Sequence, residues 1–376
     1  MRFLKRDKVH KTILVISDVH LGAGEYVGEV RNILEDFHYD EELVEFLEYF
    51  TKGEYAGKEV ELIINGDFFD LLAVPFVKYY DDEFWSEDAT KEKMALILEA
   101  HPEVMDALGE FLKDKSNKIT FIIGNHDAEL IFDSLQEMVL QRIPEDVRER
   151  FSFYNNPTGE YRPADKVLIK HGHEYEVAHQ FDYSENISTD ESGRRYFIPP
   201  WGSYYVTRVI NKFKEERDHV NAVRPIYKFL INGLIYDTFF TIRFMLANFF
   251  YFMMVRTIYI FKQSRSIKEI MEFVFKELEL FADYESLTYD FLNENKDTDV
   301  LIVGHTHEPI YRSYNNGKTF INTGTWTKMY HLDFGKGDHT ENLTFAKIDI
   351  LKDEKGLMSN LYSWKGVSKL PYSSFS

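Results

Sequence analysis

Val60-Glu61-Leu62-Ile63-Ile64-Asn65-Gly66-Asp67-Phe68-Phe69-Asp70 sets the pattern on which the whole chain is built. Its first five residues, mostly branched and apolar, have the length and composition of a buried strand, and Asn65-Gly66 closes it. The polar side chains stand directly behind the strand. Four more runs repeat the design. Thr12-Ile13-Leu14-Val15-Ile16 leads into Ser17-Asp18-Val19-His20, and the run from Ile119 to Ile123 leads into Gly124-Asn125-His126-Asp127. Val167-Leu168-Ile169 leads into Lys170-His171-Gly172-His173, and Val300-Leu301-Ile302-Val303 into Gly304-His305-Thr306-His307. Helical patterns separate the early runs, from Glu41 to Tyr49 and from Lys91 to Lys113, the second interrupted near Pro102. Strand and helix in alternation predict a layered α/β core. Ligands in such sheets bind at the carboxyl ends of strands, so five loops should converge on one rim.

Composition narrows the partners. The 376 residues hold 44 Lys plus Arg against 63 Asp plus Glu, a formal net charge of −19. Nucleic-acid backbones are bound through basic footprints, so a nucleic-acid partner is not expected. Cysteine is absent, which removes disulfide frameworks, thiolate zinc sites and cysteine nucleophiles together. The basic first residues lead straight into a strand-like run with no apolar signal segment. The expectation is a cytoplasmic protein, with the inner face of the membrane as the alternative.

The five clusters supply Asp18, His20, Asp67, Asn125, His171, His305 and His307, oxygen and imidazole donors of the kind that hold divalent ions. The order D-x-H, G-D-x-x-D, G-N-H-D, H-G-H, G-H-T-H resembles the calcineurin-like metallophosphoesterases, with every motif present over roughly residues 11–173 and 298–350. The resemblance implies a four-layer α/β/β/α sandwich of two mixed sheets. Two divalent ions would sit on its rim, Mn first, with Fe, Zn or Mg also compatible. Asp18, His20 and His307 would hold one ion, Asn125, His171 and His305 the other, and Asp67 would bridge them. The implied reaction is hydrolysis of a phosphate ester or phosphoanhydride by in-line attack of a metal-bound hydroxide. His126 would assist the leaving group, with Asp70 hydrogen-bonded to its imidazole. His173 is either an outer partner of the ligands or faces substrate. Asp127 is read as a helix N-cap, with a ligand-orienting role as the alternative.

The strand pattern stops after His173 and resumes near Asp297. The expected organisation is a first core segment at 1–174, a mostly helical insertion or cap at 175–296, and a second core segment at 297–376. Asn315-Asn316-Gly317 is a hairpin turn candidate, and the C-terminal strands are expected to complete the second sheet. Within the insertion, residues 226–262 are crowded with aromatics. The apolar run from Phe244 to Val255, between Arg243 and Arg256, is shorter than a bilayer span. It reads as a core helix, as a membrane-surface helix with Arg243, Arg256 and Lys262 at headgroup level, as an acyl-chain groove, or as a dimer surface. The sequence is similar to the UDP-2,3-diacylglucosamine pyrophosphatase branch in its I-S-D-x-H-L opening and in the location of the cap. It departs from that branch in insertion length and in keeping His126. A lipid-linked pyrophosphate substrate is therefore an alternative to a soluble phosphate ester. A catalytically inactive scaffold, with the cap as a partner-binding surface, is a third reading. Arg194 and Arg195 could contact a second phosphate or be a solvated pair.

Overall fold

All five apolar runs are strands: Val9–Ile16, Glu59–Asn65, Lys118–Ile122, Val167–Ile169 and Val300–Val303. The computed structural model describes residues 9–263 apart from 157, 183 and 184, together with 284–332, 339–340, 343–351, 356–367 and 372–374. The first sheet runs in the order Tyr372–Ser374, Leu357–Trp364, Thr344–Leu351, Val9–Ile16, Glu59–Asn65, Lys118–Ile122, Phe151–Phe153. Its four strands from Val9–Ile16 onward are parallel, and its three C-terminal strands are antiparallel. The second sheet runs Ile310–Ser313, Thr319–Asn322, Val300–Val303, Val167–Ile169, with only the first strand antiparallel.

Side-chain alternation explains why these strands are apolar without interruption. Ile13 and Val15 point with Ile63 and Ile122 into the space between the sheets, where they meet Ile169, Ile302 and Ile321. Leu14 and Ile16 point the other way with Leu62 and Ile64, against Phe46 and Leu108 of the outer helices. Strands buried on both faces lose the polar half of the alternation. The far face of the second sheet places Leu168, Leu301 and Phe320 on Leu292 of the helix Tyr284–Glu294. Four layers result, as expected.

The outer helices follow their local signals. Asp40–Tyr49 matches the first expected helix. The second divides into Glu87–Ala100, capped by Ser86 Oγ accepting from Ala89 N at 3.2 Å, and Pro102–Phe111, where proline occupies the first turn. Gly317, at φ 83°, turns Ile310–Ser313 back onto Thr319–Asn322.

One expectation needs correction. The C-terminal strands divide between the sheets: Thr319–Asn322 joins the second, but Thr344–Leu351 pairs with Val9–Ile16 in the first. That pairing covers the otherwise open edge of the first parallel strand with an antiparallel neighbour. The mostly helical insertion also holds short strands. Ile187–Thr189 pairs with Arg195–Phe197, and Val223–Arg224 with Met329–His331. Asp190, whose carboxylate accepts from Ser192 N and Arg194 N, and Gly193 at φ 85° form the turn of the first pair. The remaining insertion elements include helices Trp201–Tyr205, Ile226–Tyr236 and Thr238–Gln263. Val209, Phe213, Phe240 and Phe244 make a small core of their own there.

Candidate metal centre

The loop at 18–21 and the loop at 66–70 zip together through backbone hydrogen bonds. Asp18 N donates to Gly66 O, His20 N to Asp67 O and Asp70 N to Leu21 O, at 2.8–3.1 Å. Gly304 N donates to His171 O at 2.7 Å and so ties the loops of the second sheet to one another. The two sheets meet where His305 N donates to the Asp18 carboxylate at 3.0 Å and Trp326 N to Asp18 O at 3.1 Å. A Cβ on Gly124 would strike the Asp67 carboxylate, and one on Gly304 would strike that of Asp18. The motif glycines are therefore required by close approach.

Backbone conformation is unusual at five of the ligands. Asp18, His20, Asp67, His305 and His307 all have φ between 51° and 68°, a region that costs non-glycine residues on the order of 1–3 kcal/mol each. Five strained positions in one place mean that the surrounding hydrogen bonds hold the side chains against their local preference.

Two groups of donors result. Asp18, His20 and His307 form one, and Asp67, His171 and His305 the other, with the ligand atoms of each group within 4.8 Å of one another. Asn125 joins the second group, its Oδ1 lying 3.2 Å from His171 Nε2. Asp67 Oδ2 is 3.2 Å from the same nitrogen, while Asp67 Oδ1 accepts from His126 N at 2.7 Å. All seven expected ligands thus come together.

The donor chemistry fits cations. His171 Nδ1–H donates to Asn65 O at 2.7 Å, so its Nε2 carries the lone pair that faces Asp67 and Asn125. His20 Nδ1–H donates to Asp70 Oδ2 at 3.2 Å, which leaves His20 Nε2 facing His307 Nε2 at 3.0 Å. Asp18 Oδ1 lies 3.4 Å from that His307 nitrogen. Buried lone pairs aimed at one another are costly unless a positive charge lies between them.

Asp70 does more than was expected of it. One carboxylate oxygen holds His20, and the other accepts from His126 Nδ1–H at 2.9 Å. Burial alone would raise the Asp70 carboxyl, but the His126 and His20 imidazoles hold it well below the usual carboxylate range. For His126, burial works against the charged ring, yet Asp70 and Asp67 outweigh it and push the imidazole up to about 9. The two carboxylates thus favour the protonated form of the His126 ring.

Asp127 is not a side-chain cap. It is fully buried, and its carboxylate accepts from Gly124 N at 2.6 Å and Phe68 N at 2.9 Å, lacing the Asn125 loop to the Asp67 loop. The ligand-orienting alternative describes it. His173 is buried and stacked flat on Phe181, with centroids 4.8 Å apart, next to His171. Arg195 grips Glu87 through two hydrogen bonds of 2.6 and 2.7 Å, and Arg194 lies 3.3 Å from Asp190. Both arginines thus have acidic partners within the protein.

Asn65 and Glu176 are among the residues that touch the ligands and were not singled out from sequence. Asn65 contributes its carbonyl, which no side-chain pattern reveals. Glu176 lies 3.2 Å from His305 Nε2, and a lone glutamate just past H-G-H carries no distinguishing signal.

The family described as calcineurin-like phosphoesterase matches residues 11–309. The chain belongs to that family. Among solved structures it is similar to a dimetal phosphatase from Danio rerio, at 12% identity and a TM-score of 0.40, over 97% of this chain and 98% of that one. It is also similar to a conserved uncharacterised protein, a predicted phosphoesterase, from Streptococcus pneumoniae, at 10% identity and a TM-score of 0.31, over 97% and 96%. No curated protein matches.

Proposed function

We propose that this phosphoesterase is a dinuclear-metal-dependent hydrolase of a phosphate ester or phosphoanhydride, with His126 donating a proton to the departing oxygen. The observation that carries the reading is the pair of donor groups, Asp18/His20/His307 and Asp67/His171/His305, tied together where His305 N donates to the Asp18 carboxylate. Two bound divalent ions would supply the positive charge that an anionic phosphate requires and would acidify water. The chain's own side chains orient the rest. Asp70 fixes His20 and His126 together, so the ligand face and the proton donor share one anchor. A net charge of −19 supports a small phosphorylated substrate over a nucleic acid.

His126→Ala is the test. General-acid help contributes roughly 10²–10⁴-fold, and it matters most for leaving groups that need a proton. The variant is expected to lose activity steeply on alkyl phosphodiesters and little on p-nitrophenyl esters. An equal loss on both would defeat the proton-donor role.

A second reading, contact with a membrane and through it a lipid-linked substrate, is favoured by one observation. Ile226–Tyr236 buries no residue, and on Thr238–Gln263 the side chains of Phe239, Leu246, Phe249, Phe250 and Met254 stand in solvent, Phe239 at 75% exposure. Thr238–Val255 also gives an 18-residue window of mean hydropathy 1.4, long and apolar enough to cross a bilayer by length and composition. The helix is longer than the apolar run alone because it continues through Arg243, whose guanidinium is held by Glu216 at 2.8 Å. The side chains of Arg256 and Lys262 lie outside the described residues. Inserting a large apolar side chain into an interface is worth about 1.5–3 kcal/mol. Replacing Phe239, Phe249 and Phe250 together with Ser is expected to cut flotation with phosphatidylglycerol-containing liposomes at least tenfold, while p-nitrophenyl ester hydrolysis stays at the parent rate. Undiminished flotation of the variant, or no flotation of the parent, would remove the membrane reading.

A further inference from the structure

Among the described residues, the insertion places a carboxylate against the ring of one ligand, His305. Its Nε2 lies 3.2 Å from Glu176 Oε2, and Glu176 stands three residues past the H-G-H motif, where the core chain passes into the inserted segment. A neutral imidazole that gives one nitrogen to a metal carries its proton on the other, and that N–H needs an acceptor. His171 finds its acceptor in Asn65 O and His20 in Asp70. Glu176 occupies the equivalent place at His305.

We propose that Glu176 is a positioning residue for the second metal: it accepts from His305 Nε2–H, fixes the tautomer and leaves Nδ1 as the ligand atom. This rests on the dinuclear reading of the site.

Glu176 is itself approached from the insertion side. His179 Nε2 lies 3.7 Å from the same carboxylate oxygen, and the His179 ring packs against His305 with centroids 5.2 Å apart. Gly202, at the start of Trp201–Tyr205, donates its N–H to Ala178 O at 2.8 Å, and a Cβ there would collide with the His179 ring. Tyr251 Oη, on the long apolar helix, donates to Trp201 O at 2.9 Å. An unbroken series of contacts therefore runs from the exposed helix through Trp201, Gly202 and His179 to Glu176 and His305. In the core, backbone and strand-end groups orient the ligands. At His305 a residue of the insertion takes that place.

Loss of such an outer partner costs 10–100-fold in metal affinity. Manganese binding to the metal-free protein, followed by calorimetry, separates the outcomes. The parent protein is expected to bind two ions. Glu176→Ala should bind the first with parental affinity and the second 10–100-fold more weakly, and Glu176→Gln should recover most of the loss, because an amide oxygen still accepts the N–H. Melting of the metal-free forms should be unchanged. Two ions bound by Glu176→Ala with parental affinity would overturn the proposal. So would a Gln variant as weak as the Ala variant, which would make the carboxylate charge itself a ligand. A parent protein that binds no manganese would instead sink the dinuclear reading beneath it.

Discussion

Asp67→Asn protein is expected to fold, to retain at most one divalent ion, and to hydrolyse bis(p-nitrophenyl) phosphate on the order of 10³-fold more slowly. The fold should survive because Asn tolerates the left-handed φ of 51° at this position and keeps an oxygen to accept from His126 N. What is lost is the charge on the oxygen facing His171 Nε2. Charge stabilisation by bound metal is worth several kcal/mol, and about 4 kcal/mol corresponds to three decades in rate. Elemental analysis of the purified variant, alongside the rate, checks both parts. Two bound ions and a rate within tenfold of the parent would overturn the bridging role proposed for Asp67.

Lys93→Met is expected to destabilise the protein by about 3–5 kcal/mol, while Lys93→Met combined with Glu129→Leu restores or exceeds parental stability. Lys93 Nζ meets Glu129 Oε1 at 2.6 Å with neither side chain exposed, and the ammonium also lies 4.1 Å from the centre of the Phe84 ring. Burial lowers the pKa of Lys93, and Glu129 only partly offsets it. Removing the lysine alone strands a carboxylate whose Oε2 already has no partner among the described residues. Glu129 belongs to the short helical turn Ala128–Ile131, which follows Asn125 and His126 directly, so the pair fastens that loop to the helix Glu87–Ala100. Urea unfolding of the metal-free proteins measures both changes. A single variant as stable as the parent would show that water already reaches the pair.

Much of this architecture could be read from the chain, and the reason is local. A strand buried on both faces writes itself as a continuous apolar run, and a loop that must carry ligands writes its polar residues immediately afterwards. Val9–Ile16 with Asp18 and His20, and Val300–Val303 with His305 and His307, needed nothing more. The features that escaped depend on partners far away. Thr344–Leu351 has the same alternation whichever sheet it enters, and only its pairing with Val9–Ile16 decides. Asp127 looks like a cap in sequence because Asp is a common one, but its acceptors serve Phe68 N across the loops. Glu176 acquires meaning only through the ring of His305. The strand pair at 187–197 was different, since Asp190 and Gly193 at its turn were visible signals within a segment read as mostly helical.

The partnership of Thr344–Leu351 with Val9–Ile16 has a consequence for birth on the ribosome. At roughly 5–20 residues per second, the opening strand emerges tens of seconds before its antiparallel neighbour exists. Glu59–Asn65 can cover one flank early, but the other stays bare until Thr344–Leu351 has been made. Nascent chains stalled before Thr344 should therefore be the form that chaperones grasp most firmly.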